Sequence, residues 1–135
     1  MTSRLTQAAI WKAMRAHMPN VHWTRIETTT GNGVPDLEGC FRGVAVWIEI
    51  KSVSASGALY LTPGQCAWHT ARAKAGGRNY ILAANHTTLW LWQGWYADMV
   101  RWYHTGGALP VHYTGPWPPD WQVLQASLFQ DFQED

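Results

Sequence analysis

The chain has 135 residues, 47% of them apolar and 14% charged, with ten tryptophans and a net charge of +1. That length suits one domain with a real hydrophobic core, and the near-neutral charge excludes a polycation that grips nucleic acid over its whole surface. Two cysteines exclude a disulfide framework, and no apolar run approaches the about 18 residues of a membrane helix, so a cytoplasmic protein is expected.

Residues 3–18 read as a helix, capped by Thr2 or Ser3 and ended by Pro19-Asn20. Leu5, Ala8, Ala9, Trp11, Met14 and Met18 fall near helical spacing and form its expected core face. The segment is amphipathic, unlike a secretory leader. It carries Arg4, Lys12 and Arg15 but no acidic residue.

Residues 21–30 read as a strand. Val21, Trp23, Arg25, Glu27 and Thr29 share one face. Arg25 and Glu27 either pair with each other or serve a site, Glu27 towards a metal and Arg25 towards a phosphate. Gly31-Asn32-Gly33 is a turn that a nucleic-acid backbone could approach closely.

Pro35-Asp36 follows. Pro-Asp is ordinary turn chemistry, but twelve residues separate Asp36 from Glu49. That interval holds one short strand to Cys40 or Phe41, a turn at Arg42-Gly43 and a return strand over Val44–Lys51. The return strand alternates. Val44, Val46, Ile48 and Ile50 form a buried face, and Ala45, Trp47, Glu49 and Lys51 form the other. Glu49 and Lys51 point the same way, about 6–7 Å apart at roughly 3.3 Å per residue. An antiparallel hairpin of that kind can bring Asp36 alongside Glu49, and two adjacent carboxylates repel unless a cation lies between them. Mg²⁺ accepts one or two carboxylates together with waters and phosphate oxygens. Lys51 is then placed to hold a phosphate or to assist an attacking water.

Ser52–Tyr60 lacks periodicity and reads as a mobile loop. Thr62-Pro63-Gly64-Gln65 is a capping box with proline at the first helical position. The helix runs to about Ala75, and Gly76-Gly77 ends it. His69 lies one turn beyond Gln65, either structural or turned to a phosphate, and Arg72 and Lys74 extend a phosphate track. Tyr80–Ala84 and Thr88–Gln93 read as strands joined at Asn85-His86, with Trp90 and Trp92 on one face. Trp95–Tyr103 is amphipathic, helix or strand. Its aromatic residues either fill a core or interface or offer stacking platforms. Gly106–Pro119 reads as loop. Asp120 caps a last helix from Trp121 to about Phe132, with Val123, Leu124, Leu128 and Phe132 as its apolar stripe. Nine of the ten Lys and Arg residues precede residue 80, and the tail is acidic.

Pro35-Asp36 with Glu49-Ile50-Lys51 resembles the PD-(D/E)xK nuclease signature. Gly33-Val34-Pro35-Asp36-Leu37-Glu38-Gly39, Trp47–Ser52 and Leu61–Gln65, with Gly76-Gly77 beyond, are similar to its VRR-NUC and Holliday-junction-resolvase-like branch. The resemblance covers roughly residues 20–85. It implies a restriction-endonuclease-like α/β core, a mixed central sheet flanked by helices in αβββαβ order. That core would span residues 1–105, with a C-terminal loop and helix, 106–135, packed on the same domain. It implies that Asp36 and Glu49 bind Mg²⁺, or Mn²⁺ in its place, that Lys51 assists the water, and that Gln65 lies at the site edge. It further implies cleavage of DNA by a homodimer, with junction, restriction, repair and homing roles all open. Many members carry a glutamate on the first helix. This chain does not, which leaves Glu27 or Gln7 to complete the site.

Two other readings compete. One is a nucleic-acid- or partner-binding module on a nuclease fold that has lost its chemistry. The other treats the tryptophans as a sugar platform and leaves Asp36, Glu49 and Lys51 unexplained.

Overall fold

The alternation along the central strand separates the molecule into two layers. Val46, Ile48 and Ile50 are buried on one face of a sheet, while Glu49 and Lys51 project from the other. The structure, a computed structural model, describes residues 3–27, 33–106 and 109–130. Among these, the order is α1 (Gln7–His17), β1 (His22–Arg25), β2 (Leu37–Phe41), β3 (Val44–Ser52), α2 (Pro63–Lys74), β4 (Asn79–Ala84), β5 (Thr88–Gln93), α3 (Ala97–Tyr103), β6 (Tyr113–Pro116) and α4 (Trp121–Phe129). A 3-10 turn, Gly94–Tyr96, leads into α3.

The six strands form one mixed sheet in the order β1-β2-β3-β4-β5-β6. Only β3 and β4 run parallel, because α2 crosses between them, as a parallel pair requires. Every residue of β4 is buried, the mark of a strand covered on both faces. On one face Ile10 and Met14 of α1 and Leu124, Leu128 and Phe129 of α4 pack with Val46, Ile48, Ile50, Leu82 and Leu91. On the other, Cys66 of α2 and Ala97 and Val100 of α3 pack with Ile81, Ala83 and Trp92. The C-terminal helix therefore shares the core of the preceding elements. The fold is α/β, with four helices about a mixed, open sheet.

The β2–β3 turn is at Arg42-Gly43. Both residues have positive φ, 50° and 81°, the mirror-image turn that suits the twist of a two-residue hairpin.

Several expectations are corrected. Helix α1 starts at Gln7, not residue 3, and Thr6 caps it by accepting from Ala9 N at 3.0 Å. The residues before it are tied to the end of β3 instead: Arg4 donates to Ser52 Oγ at 2.7 Å and to the Ser52 carbonyl, and Ser52 Oγ donates to the Leu5 carbonyl. Ala8 and Ala9 face outward, and Ile10, four residues before Met14 on the same face, is buried instead. Strand β1 has four residues rather than ten, and residues 28–32 lie outside the described residues. Residues 53–60 form a loop, as expected, although Ser52 itself ends β3; Ser54 N donates to the Ala58 carbonyl and Thr105 N to the Gly57 carbonyl, and the loop's own Val53 and Leu59 are buried. Residues 106–119 include a strand, β6. Its Gly115-Pro116 reads as loop chemistry, and an edge strand tolerates proline. In α4, Asp120 is the cap, but Val123 is exposed and Phe129 takes its place in the core. Phe132 lies outside the described residues.

Candidate active site

The pairing of β2 with β3 sets Leu37 opposite Ile48 and Glu38 opposite Trp47. One step upstream, the same register sets Asp36 opposite Glu49. Leu37 belongs to the α1 face, so alternation turns Asp36 to the α2 face, where Glu49 lies. Asp36 Oδ2 accepts the Ile50 N–H at 2.9 Å, and the Asp36 carbonyl accepts from Ile26 N at 2.7 Å. The residue is thus held between β1 and β3 by its backbone and its side chain.

Glu49 is 2% exposed beneath α2. Gln65 closes over it and faces three ways. Its Oε1 accepts from Thr62 N at 2.8 Å and from Lys51 Nζ at 3.1 Å, and its Nε2 donates to Glu49 Oε2 at 3.2 Å. Capping the helix and building the site are one interaction here, because the capping box aims the carboxamide at β3. The loop before Asp36 is pressed onto the same helix start. A Cβ on Gly33, whose φ is +76°, would lie 2.2 Å from the Gly64 carbonyl oxygen. The Asp36 loop and the Gln65 turn therefore meet backbone to backbone.

Burial pushes the Glu49 carboxyl up to about 9, and the nearby Asp36 charge adds to the rise while Lys51 opposes it. His69, wholly buried behind Glu49, is pushed down to about 4 by burial and by Lys51. The His69 Nε2 and Glu49 Oε1 atoms are 3.8 Å apart. They are no ion pair at neutral pH, since both groups are then uncharged and the distance exceeds a hydrogen bond.

Glu49 Oε1, His69 Nε2 and Asn79 Oδ1 are buried with no hydrogen-bond partner. Each such group costs roughly 1–3 kcal/mol, so packing alone does not explain this cluster. Once ionised, Glu49 beside the Asp36 carboxylate is a donor set suited to a hard, oxygen-seeking cation, whose charge would offset the cost of ionising it. Among the described residues, no three His, Cys, Asp or Glu side chains gather to hold a metal. A cation here would take protein oxygens from Asp36 and Glu49 and complete its shell with water and substrate.

The structure thus brings together Asp36, Glu49, Lys51 and Gln65. It does not add Glu27, which is exposed past the end of β1, or Gln7, which is exposed at the start of α1. Arg25 is exposed on the edge strand. Arg72 is half-buried and lies over the rings of Trp47 and Trp68, 5.3 and 4.8 Å from their centroids. Lys74 is exposed at the far end of α2, roughly 14 Å along the axis from Gln65 at about 1.5 Å per residue. His69 cannot contact a bound phosphate because it is wholly buried.

No protein-family model matches the chain, and no curated protein matches it. Two parts of the site were not among the expected residues. Asn79 is buried against His69, and a polar residue opening the apolar run Tyr80–Ala84 was its only signal. Gly33 was visible as a turn residue, but its contact with Gly64 was not. Chemically, the four side chains offer two acids, one amine and a carboxamide that fixes the amine relative to one acid.

Proposed function

We propose that the chain is a divalent-metal-dependent endodeoxyribonuclease. The observation that carries the reading is the shared face of Asp36 and Glu49, with Lys51 tied to Glu49 through the Gln65 carboxamide. A buried carboxylate beside another is costly unless a proton or a cation offsets it. The donor chemistry fits Mg²⁺, with Mn²⁺ as a substitute.

Asp36 and Glu49 would hold the ion. When bound, it supplies charge to polarise the phosphate and to acidify a water. Asp36 stays in place because Ile50 N–H holds one of its oxygens. Lys51, about two residues along the strand from Glu49, would donate its N–H to a phosphate oxygen or to the attacking water. Its hydrogen bond to Gln65 restricts the ammonium to the neighbourhood of Glu49. The water gives up a proton to solvent and adds to phosphorus, the bond to a sugar oxygen breaks, that oxygen takes a proton from solvent, and the amine stabilises the extra negative charge on the phosphate. DNA as substrate and a homodimeric assembly follow from the resemblance of Pro35-Asp36 and Glu49-Ile50-Lys51 to the nuclease signature.

The lack of a third acid among the described residues favours a second reading, a binding module without chemistry. Calorimetric titration with Mn²⁺ separates the two. The nuclease reading expects binding that Asp36→Asn and Glu49→Gln each weaken. A folded protein that takes up no Mn²⁺ supports the module instead.

A further inference from the structure

Behind Glu49 lies a second pair of side chains. Asn79 Nδ2 is 2.9 Å from His69 Nδ1 and 3.0 Å from the His69 carbonyl oxygen. The carbonyl can only accept, so the atom facing it is the amide nitrogen, and His69 Nδ1 is therefore an acceptor. The ring proton must then sit on Nε2, which faces Glu49 Oε1 at 3.8 Å. Both residues are buried. The chain leaves room for the pair by placing glycine above it: a Cβ on Gly94 would lie 2.0 Å from Asn79 Nδ2 and 2.8 Å from His69 Nδ1.

We propose that Asn79 and His69 are positioning residues for Glu49, with Asn79 fixing the His69 tautomer and the Nε2–H of His69 steering the second carboxylate oxygen. Gln65 holds one oxygen of Glu49 from the solvent side, and His69 addresses the other from within. A hydrogen bond at about 2.9 Å needs the 3.8 Å separation to shorten by about 0.9 Å. Outer partners of this kind set the orientation of a ligating group, and their loss commonly weakens metal binding about 10–100-fold. The inference rests on the metal-dependent reading above and adds two residues that touch neither metal nor substrate.

Two measurements on the full chain test it. The first is the long-range ¹H–¹⁵N histidine spectrum of the metal-free protein at neutral pH, followed by titration with Mg²⁺. The pair predicts an unprotonated Nδ1, a protonated Nε2 and a shift of the His69 signals on adding Mg²⁺. A protonated Nδ1, or signals indifferent to bound Mg²⁺, overturns the proposal. The second compares Mn²⁺ affinity in His69→Phe and His69→Gln with thermal stability measured alongside. Phe keeps the ring volume and loses the N–H, so binding should weaken about tenfold or more, whereas Gln restores a donor and most of the affinity. A folded His69→Phe with wild-type affinity overturns the proposal, and if that variant does not fold, the spectrum decides. Wild-type protein that binds no Mn²⁺ sinks the nuclease reading and this inference together. Wild-type binding with indifferent His69 variants sinks the inference alone.

Discussion

The Asp36 carboxylate accepts the backbone N–H of Ile50 at 2.9 Å, so the neighbouring strand fixes one of its oxygens before any ligand binds. Asparagine can keep that bond through its carbonyl oxygen but not the charge. Asp36→Asn should therefore fold normally, with cleavage reduced by roughly 10²–10³-fold, the scale of losing one preorganised electrostatic group. Glu49 would remain raised by burial, but its pKa should fall because the Asp36 charge contributes to the rise. Carbon-detected NMR of the Glu49 carboxyl measures this directly.

Two buried titratable groups of the site, Glu49 and His69, give the metal-free protein a predictable pH profile between about pH 4 and 9. Glu49 rises from 4.5 to about 9 on folding, so its contribution is fully present below about 4.5 and is lost as pH climbs towards 9. His69 falls from 6.5 to about 4, so its contribution is present above about 6.5 and is lost as pH falls towards 4. Together they place the stability maximum from these groups between about 4.5 and 6.5. Melting curves from pH 4 to 9 should show that dome. Glu49→Gln should flatten the alkaline limb, and His69→Gln should flatten the acid limb. Mn²⁺ should stabilise the wild type most at the alkaline end, where Glu49 is ionised.

Lys51→Met keeps the aliphatic stem and removes the amine that Gln65 holds. If Lys51 acts on the phosphate or the water, kcat should fall by roughly 10²–10³-fold while Mn²⁺ affinity in calorimetry is kept. Loss of affinity matching the loss of turnover would assign Lys51 to metal binding rather than to the reaction.

Gly33 and Gly43 both have positive φ, but only Gly33 lies against another backbone. Gly43→Ala should cost about 1–2 kcal/mol of backbone strain, with activity unchanged. Gly33→Ala carries the same strain and a Cβ placed 2.2 Å from the Gly64 carbonyl oxygen, which would force the Asp36 loop from the Gln65 turn. It should lose more stability in urea and most of its activity. Equal losses in the two variants would show that the Gly33–Gly64 contact does not set the site.

The legible parts of this chain were those fixed by local rules. Alternation predicted both faces of β3, the two-residue turn at Arg42-Gly43 placed the hairpin, and the capping box placed the start of α2. Those rules together place Asp36, Glu49 and Lys51 near one another, while the place of Gln65 at the site edge rests on the resemblance to the nuclease signature. What escaped depended on distant partners. The first helix starts late because Arg4 and Ser52 meet across the fold, and β6 exists because β5 offers it an edge. The burial of His69 could not be read from helical spacing, which placed it correctly beside Gln65 but gave no sign of Asn79 behind it. The contact of Arg72 with the ring of Trp47 likewise depends on a residue far from it in the chain.

The most direct measurement is cleavage of linear, nicked, branched and single-stranded DNA by the purified chain, with Mg²⁺, with Mn²⁺ and with chelator. At least one substrate should be cut with either metal and none with chelator, and Glu49→Gln should abolish cutting while melting as a folded protein. Cutting that persists in chelator or in folded Glu49→Gln, or wild-type protein that cuts none of the substrates, would contradict the assignment.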